Sequence, residues 1–293
     1  MRLARWCAVV LMSLVAGCHG DQNRAGPPSA PGFPNWPKTL SDFRFRWSAE
    51  PGIDLLSGAA VPLRAYLESY RVADFTLDPN AVYPGFQRAV PQGVVGADAP
   101  PDVPYQLWYI RPSPAHPEFG FDTAWQFGGN EYFHVLELTA IDTGYRAYVC
   151  DGLYKVFLGR NGKYVPLIGR GQYDEWTETN AVDVWRVEFT GQPSASDIKA
   201  PPVVGVAQKG PNPAPLGDVF GPWRITGASE TGYWGPLAHP ESNSRDEANK
   251  QRHQQCFDRM PDDAAQRRAL LTGIRDAPPP AEPAVPGWPQ DAL

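Results

Sequence analysis

Beyond its first seventeen residues the chain has no apolar run long enough to cross a bilayer, which excludes a later membrane-spanning helix. Basic residues are also in deficit. Lys and Arg number 26 against 32 Asp and Glu, a formal charge of −6, and without a basic cluster there is no footprint for nucleic acid. Histidine is scarce: His19, His116, His134, His239 and His253 include no close pair, so the short ligand spacing of a metal site is missing and no metal or other cofactor is expected. The chain contains no Gly-x-Ser-x-Gly elbow, phosphate loop, dinucleotide fingerprint or His-Glu-x-x-His, which removes the enzyme classes that a short pattern betrays. Nor is there an internal repeat.

What is present is a globular composition: of 293 residues 42% are hydrophobic, 12% aromatic and 20% charged. The 33 prolines crowd toward the two ends, so their excess reads as linkers. At the start, Arg2 and Arg5 precede an apolar stretch from Trp6 to Ala16, the layout of an export signal over residues 1–17. The run Val15-Ala16-Gly17-Cys18 resembles the lipobox of bacterial lipoproteins, although Val15 stands where leucine is commoner. That resemblance implies cleavage before Cys18, which becomes the first mature residue and carries the lipid, palmitate among its acyl chains. Loss of 1–17 would leave 24 basic and 32 acidic side chains, so lipid rather than charge would hold the protein on the extracytoplasmic face of the cell membrane. Residues 18–38, with Pro27, Pro28, Pro31, Pro34 and Pro37, read as an extended tether reaching on the order of 60 Å.

Of four cysteines, Cys7 departs with the signal and Cys18 is taken by lipid. The remaining pair in an exported chain, Cys150 and Cys256, is expected to form one disulfide.

Residues 39–276 read as a single globular domain. Leu63, Tyr66, Leu67 and Tyr70 recur at helical spacing after Pro62, with Arg64 and Glu68 paired on the opposite, solvent face. Residues 82–104 look irregular. Strands follow by period-two alternation at Tyr105–Arg111, Tyr132–Ile141, Tyr145–Cys150, Leu153–Leu158, Tyr164–Ile168 and Asp183–Phe189, with a last one at Trp223–Thr226. Asp151-Gly152 and Asn161-Gly162 are the two hairpin-turn signals. Ser244-Arg245-Asp246-Glu247 reads as a capping box opening a polar helix to Met260, and a shorter helix runs from Asp262 to Thr272 before Gly273. Residues 277–293 carry Pro278, Pro279, Pro280, Pro283, Pro286 and Pro289 and read as an extended, mobile tail.

The class is therefore α+β: an N-terminal amphipathic helix packed on a curved antiparallel sheet, with C-terminal helices. The succession from helix through a meander to Gly221-Pro222-Trp223-Arg224-Ile225-Thr226 resembles the cone-shaped fold shared by nuclear transport factor two and ketosteroid isomerase, over roughly residues 53–228. No diagnostic motif accompanies the likeness, and a β-sandwich or barrel with appended helices is the alternative. The chain as a whole resembles actinobacterial lipoproteins of unknown function, which brings no activity with it.

The cone resemblance implies a cavity between helix and sheet, for which Tyr66, Tyr70, Tyr132, His134 and Trp185 are the candidate pocket residues; no catalytic residue carries over. His134, mid-strand among Tyr132, Leu136 and Leu138, is a candidate base with a carboxylate such as Asp122, beside the plainer reading of a satisfied structural histidine. Asp174-Glu175 with Glu178 reads as a solvated loop rather than a cation site. The functional expectation is a non-enzymatic, lipid-anchored protein that binds an apolar or amphipathic small ligand or an envelope protein. Its alternatives are a cell-envelope enzyme with acid/base chemistry in the same cavity, and an assembly scaffold using the polar helix and the tail.

Overall fold

A computed structural model describes residues 34–93, 100, 102–112, 125–191 and 205–291, all within one compact unit, Gly32–Leu293. The signal segment, Cys18, the tether up to residue 33, His19, His116 and Asp122 lie outside the described residues. No helix among the described residues is long and apolar enough to cross a membrane.

The first strand, β1 (Asp42–Ala49), is one that the strand reading above omits. Its alternation is nonetheless clear: Phe43, Phe45 and Trp47 are buried, while Arg44, Arg46 and Ser48 take the other phase. Next comes helix α1 (Ala60–Thr76), with Pro62 in its first turn and Leu77 closing it in the left-handed conformation (φ 53°). The short helix α2 (Phe86–Ala89) follows. Residues 105–111, expected as a strand, instead form a 3-10 turn at Tyr105–Leu107 and further turns. Their apolar residues on both phases reflect packing of an irregular segment against β7 and Trp234, not a two-sided strand.

The sheet is built on β2 (Gln126–Ile141), sixteen residues long. Strand β1 pairs with it in parallel, from Asp42 opposite Gly128 to Ala49 opposite Val135. On its other edge β3 (Gly144–Gly152) and β4 (Val156–Arg160) lie end to end, β3 opposite 132–141 and β4 opposite 126–129, both antiparallel. The expected hairpin at Asp151-Gly152 is therefore absent: β3 continues through both residues, which pair with Asp183 and Val182. Asn130 spans the gap between the two strands by donating its N–H to Lys155 O (3.0 Å), and Gly129 (φ 92°) lies so close to Lys155 O that no Cβ would fit there. The second hairpin signal does form its turn. Asn161 and Gly162 both have positive φ and join β4 to β5 (Lys163–Pro166). Strands β6 (Val182–Thr190) and β7 (Arg224–Ser229) extend the β3 side, giving the order β5-β4-β2-β3-β6-β7 with β1 on β2. The sheet is antiparallel apart from β1 and curls into a half-barrel, the expected α+β class.

The inward face of the sheet, carrying Phe133, Val135, Val149, Trp185 and Val187, packs on α1. The outward face, with Tyr132, Cys150 and Val182, is covered by α4 (Glu247–Arg259) and α5 (Ala264–Leu271). The short helix α3 (Glu175–Thr179) precedes β6, and residues 205–223, before β7, form turns and loops. Asp246 stands at the N-cap of α4 without a side-chain cap bond, so the expected capping box is not there; it forms at Asp263 and Gln266 of α5 instead.

Cys150 and Cys256 form the expected disulfide, with Cα atoms 5.2 Å apart and 106 residues between them in sequence. Cys256 is the one buried residue of α4, a helix with little apolar face of its own. Replacing both cysteines by alanine is expected to lower stability by up to about 4 kcal/mol, read from urea midpoints. An unchanged midpoint would mean that α4 docks without the bridge.

Two tryptophans read as linker residues belong to the core. Trp36 packs against Phe43 and Phe45, and Trp288 is fully buried. The tail around Trp288 is extended, as its prolines dictate, but docked rather than mobile. Val285 bridges to β1, and Trp288 exchanges backbone hydrogen bonds with Asn212 (2.9 and 3.1 Å). This covering also explains why Arg64 and Glu68, expected on a solvated face of α1, are both buried.

Candidate functional site

On the inward face three acidic residues occupy the phase of the core. Glu131 shares that phase with Phe133, Asp151 with Val149, and Asp183 with Trp185. Arg71, from the third turn of α1, reaches down among them. Its Nε donates to Glu131 Oε1 (2.9 Å), its Nη2 to Asp151 Oδ2 (2.6 Å) and its Nη1 to Asp74 Oδ2 (3.3 Å). Trp185 Nε1 donates to the same Asp151 oxygen (3.0 Å). Burial works against the Arg71 charge, but Glu131, Asp151 and Asp74 outweigh it and keep the guanidinium firmly protonated. Burial, aided by the neighbouring Asp151 carboxylate, drives Glu131 well above the usual carboxylate range despite Arg71. Glu131 Oε2 and Asp151 Oδ1 are both buried without a hydrogen-bond partner among the described residues, so the two carboxyls share the one guanidinium between them. Burial raises Asp183 in the same way, with Glu230 and Asp151 adding to it.

Above this cluster opens a cavity of about 790 Å3. One wall is α1 (Tyr70, Arg71, Asp74, Phe75), another the 3-10 segment (Tyr105, Tyr109), a third the chain from Leu167 to Trp176; Glu230, just beyond β7, completes it. Trp176 is 60% exposed. Glu230 is reached by solvent, yet desolvation by the surrounding walls pushes its carboxyl up to about 7 against the pull of Arg71, with Asp74 and Asp151 assisting. A smaller void beside it touches Tyr70, Trp185 and Glu230.

The five candidate pocket residues are not brought together. Tyr70 lines the cavity and meets Trp185 edge-on (centroids 5.1 Å apart), while Tyr66 lies wholly in the core with its hydroxyl donating to Ile110 O (2.9 Å). Tyr132 and His134 project from the opposite face of the sheet, since even positions of β2 point away from α1. Tyr132 donates to Glu282 of the tail (2.8 Å). The carboxylate beside His134 is Glu50: Nε2 lies 3.4 Å from Glu50 Oε1, Nδ1 lies 2.8 Å from the hydroxyl of exposed Ser48, and burial lowers the imidazole pKa. Asp174, in the acidic loop, caps α3 by accepting from Thr177 N (2.7 Å).

The site's own residues, Arg71, Glu131, Asp151 and Glu230, went unread as functional. The available signal was the phase: a charged side chain at an inward position of a strand requires a buried partner. The chain matches no protein-family model, and the comparisons with curated proteins and with solved structures found no match.

Proposed function

We propose that the protein is an outer-face lipoprotein, anchored through Cys18, whose folded body binds a small amphipathic ligand in the cavity between α1 and the sheet. The observation that carries the reading is the cavity itself: its size suits a small molecule, and aromatic walls surround a few convergent charged groups. The lipobox resemblance supports the anchor, and the helix packed over a curled sheet is in keeping with the cone-like resemblance.

Native mass spectrometry of the full-length protein, extracted gently from its own membranes, tests both parts. A non-covalent small mass beyond the lipid on Cys18 is expected, together with release of a Cys18→Ser variant into the soluble fraction. Only bare or protein-bound chains would overturn the ligand reading, and a membrane-bound Cys18→Ser variant would overturn the anchor. A second reading, an envelope enzyme, is favoured by the Ser48–His134–Glu50 contacts, in which the imidazole lies between a hydroxyl and a carboxylate. It predicts labelling of Ser48 by a fluorophosphonate that is lost in His134→Ala; absence of labelling in the intact protein removes it. The scaffold reading loses one of its surfaces, because the tail is packed into the body.

A further inference from the structure

The charges around the cavity do not balance. Among the described residues Asp74 and Glu230 line the cavity with Arg71 and Arg170, and three further carboxyl groups, Glu131 on β2, Asp151 on β3 and Asp183 on β6, lie beneath it around Arg71. Beneath the cavity, burial drives the carboxyls of Glu131 and Asp183 upward. Glu230 is different. It stands in the cavity wall, solvent reaches it, and it makes no hydrogen bond or ion pair with any described residue. Arg170, the other cation in the wall, is drawn over the Trp125 ring (5.5 Å from its centroid).

Tyr70, Tyr105 and Tyr109 line both the cavity and the smaller void together with Glu230, and Trp176 stands elsewhere in the cavity wall. An unpaired carboxylate framed by aromatic rings is the chemistry that receives an organic cation, the carboxylate supplying charge and the rings their negative faces. A bare metal ion fits poorly, since no group of three or more metal-ligating side chains occurs among the described residues. We infer that the cavity takes an amphipathic organic cation, an amine or quaternary ammonium with an apolar body, whose charged head pairs with Glu230 among the tyrosines. This rests on the ligand-binding reading above and narrows it to one charge class.

The test compares n-octylamine, n-octanol and n-octanoate, which share a tail and differ in their heads, by calorimetric titration of the intact folded protein. Octylamine is expected to bind about tenfold more tightly than octanol, with octanoate weakest. Glu230→Gln is expected to erase the preference for the amine, bringing octylamine to the affinity of octanol. Because Glu230 is solvent-exposed, that variant keeps the fold, which an unchanged thermal midpoint verifies. Lowering the pH from about 8 to about 6 should weaken octylamine by up to about tenfold as Glu230 gains its proton, since an alkylamine stays charged throughout. Glu230→Gln should show no such fall. Equal binding of all three heads, or an amine preference that survives Glu230→Gln, would overturn the cation inference and leave the cavity reading standing. Binding of none would overturn both.

Discussion

A chain ending at Pro280 is expected to lose its cooperative unfolding transition, followed by circular dichroism on heating. The reason lies in what the last segment covers. Trp288 Nε1 donates to Glu68 Oε2 (2.7 Å), and its ring lies 4.3 Å beneath the Arg64 guanidinium. Arg64 Nη2 in turn donates to Pro286 O (2.6 Å). Glu68 is fully buried, and burial raises its carboxyl even though Arg64 and donors from Trp288, Tyr83 and Trp47 oppose the shift. Truncation removes an aromatic ring from the core, uncovers α1, and strips the Pro286 and Gly287 carbonyls from buried Arg64 and the Trp288 donor from buried Glu68. Trp288→Ala alone should cost about 3–5 kcal/mol, a large share of the roughly 5–15 kcal/mol that holds an ordinary domain. Trp288→Phe separates the contributions: it retains the ring but withdraws the donor from Glu68, at about 1–3 kcal/mol. A truncated chain that melts at the wild-type midpoint would show that the tail is not part of the core.

Arg71→Met is the second substitution with a large expected effect, about 3–5 kcal/mol of lost stability by urea denaturation. Methionine replaces the buried stem but not the guanidinium, leaving Glu131 and Asp151 with Trp185 Nε1 as the one remaining side-chain donor among the described residues. The magnitude comes from stranding buried carboxyls rather than from losing one attractive pair. Combining Arg71→Met with Glu131→Gln and Asp151→Asn is therefore expected to recover part of the loss, because the neutral amides carry no buried charge. If the triple variant were less stable than Arg71→Met, the cost would lie in packing around the helix and not in electrostatics.

Both predictions concern groups that a strand or helix pattern locates without interpreting. The periodicity of α1 names its core stripe correctly through Leu63, Tyr66, Leu67 and Tyr70, and the Trp185, Val187 and Phe189 alternation names the inward face of β6. The Asn161-Gly162 turn is legible because positive φ at two successive residues is a local demand that few sequences meet. Asp151-Gly152 carries the same local signal and yields no hairpin. Cross-strand pairing with both β2 and β6 keeps the chain extended there, and Arg71 and Trp185 hold the carboxylate inward. The short-range preference of two residues is outweighed by ladders on both sides and a buried ion pair.

Local chemistry in the sequence alone was enough for the α+β class, the amphipathic helix, most strands and the pairing of Cys150 with Cys256, because each depends on neighbours in the chain or on a count. Which face of β2 carries His134, where the tail goes and which acids surround Arg71 depended on tertiary structure. Those outcomes turn on residues brought together from far apart: Arg71 with Asp151 across 80 positions, and Glu68 with Trp288 across 220. Burial of a charged or polar side chain is favourable only once its distant partner has arrived, so the candidate site came into being with the fold.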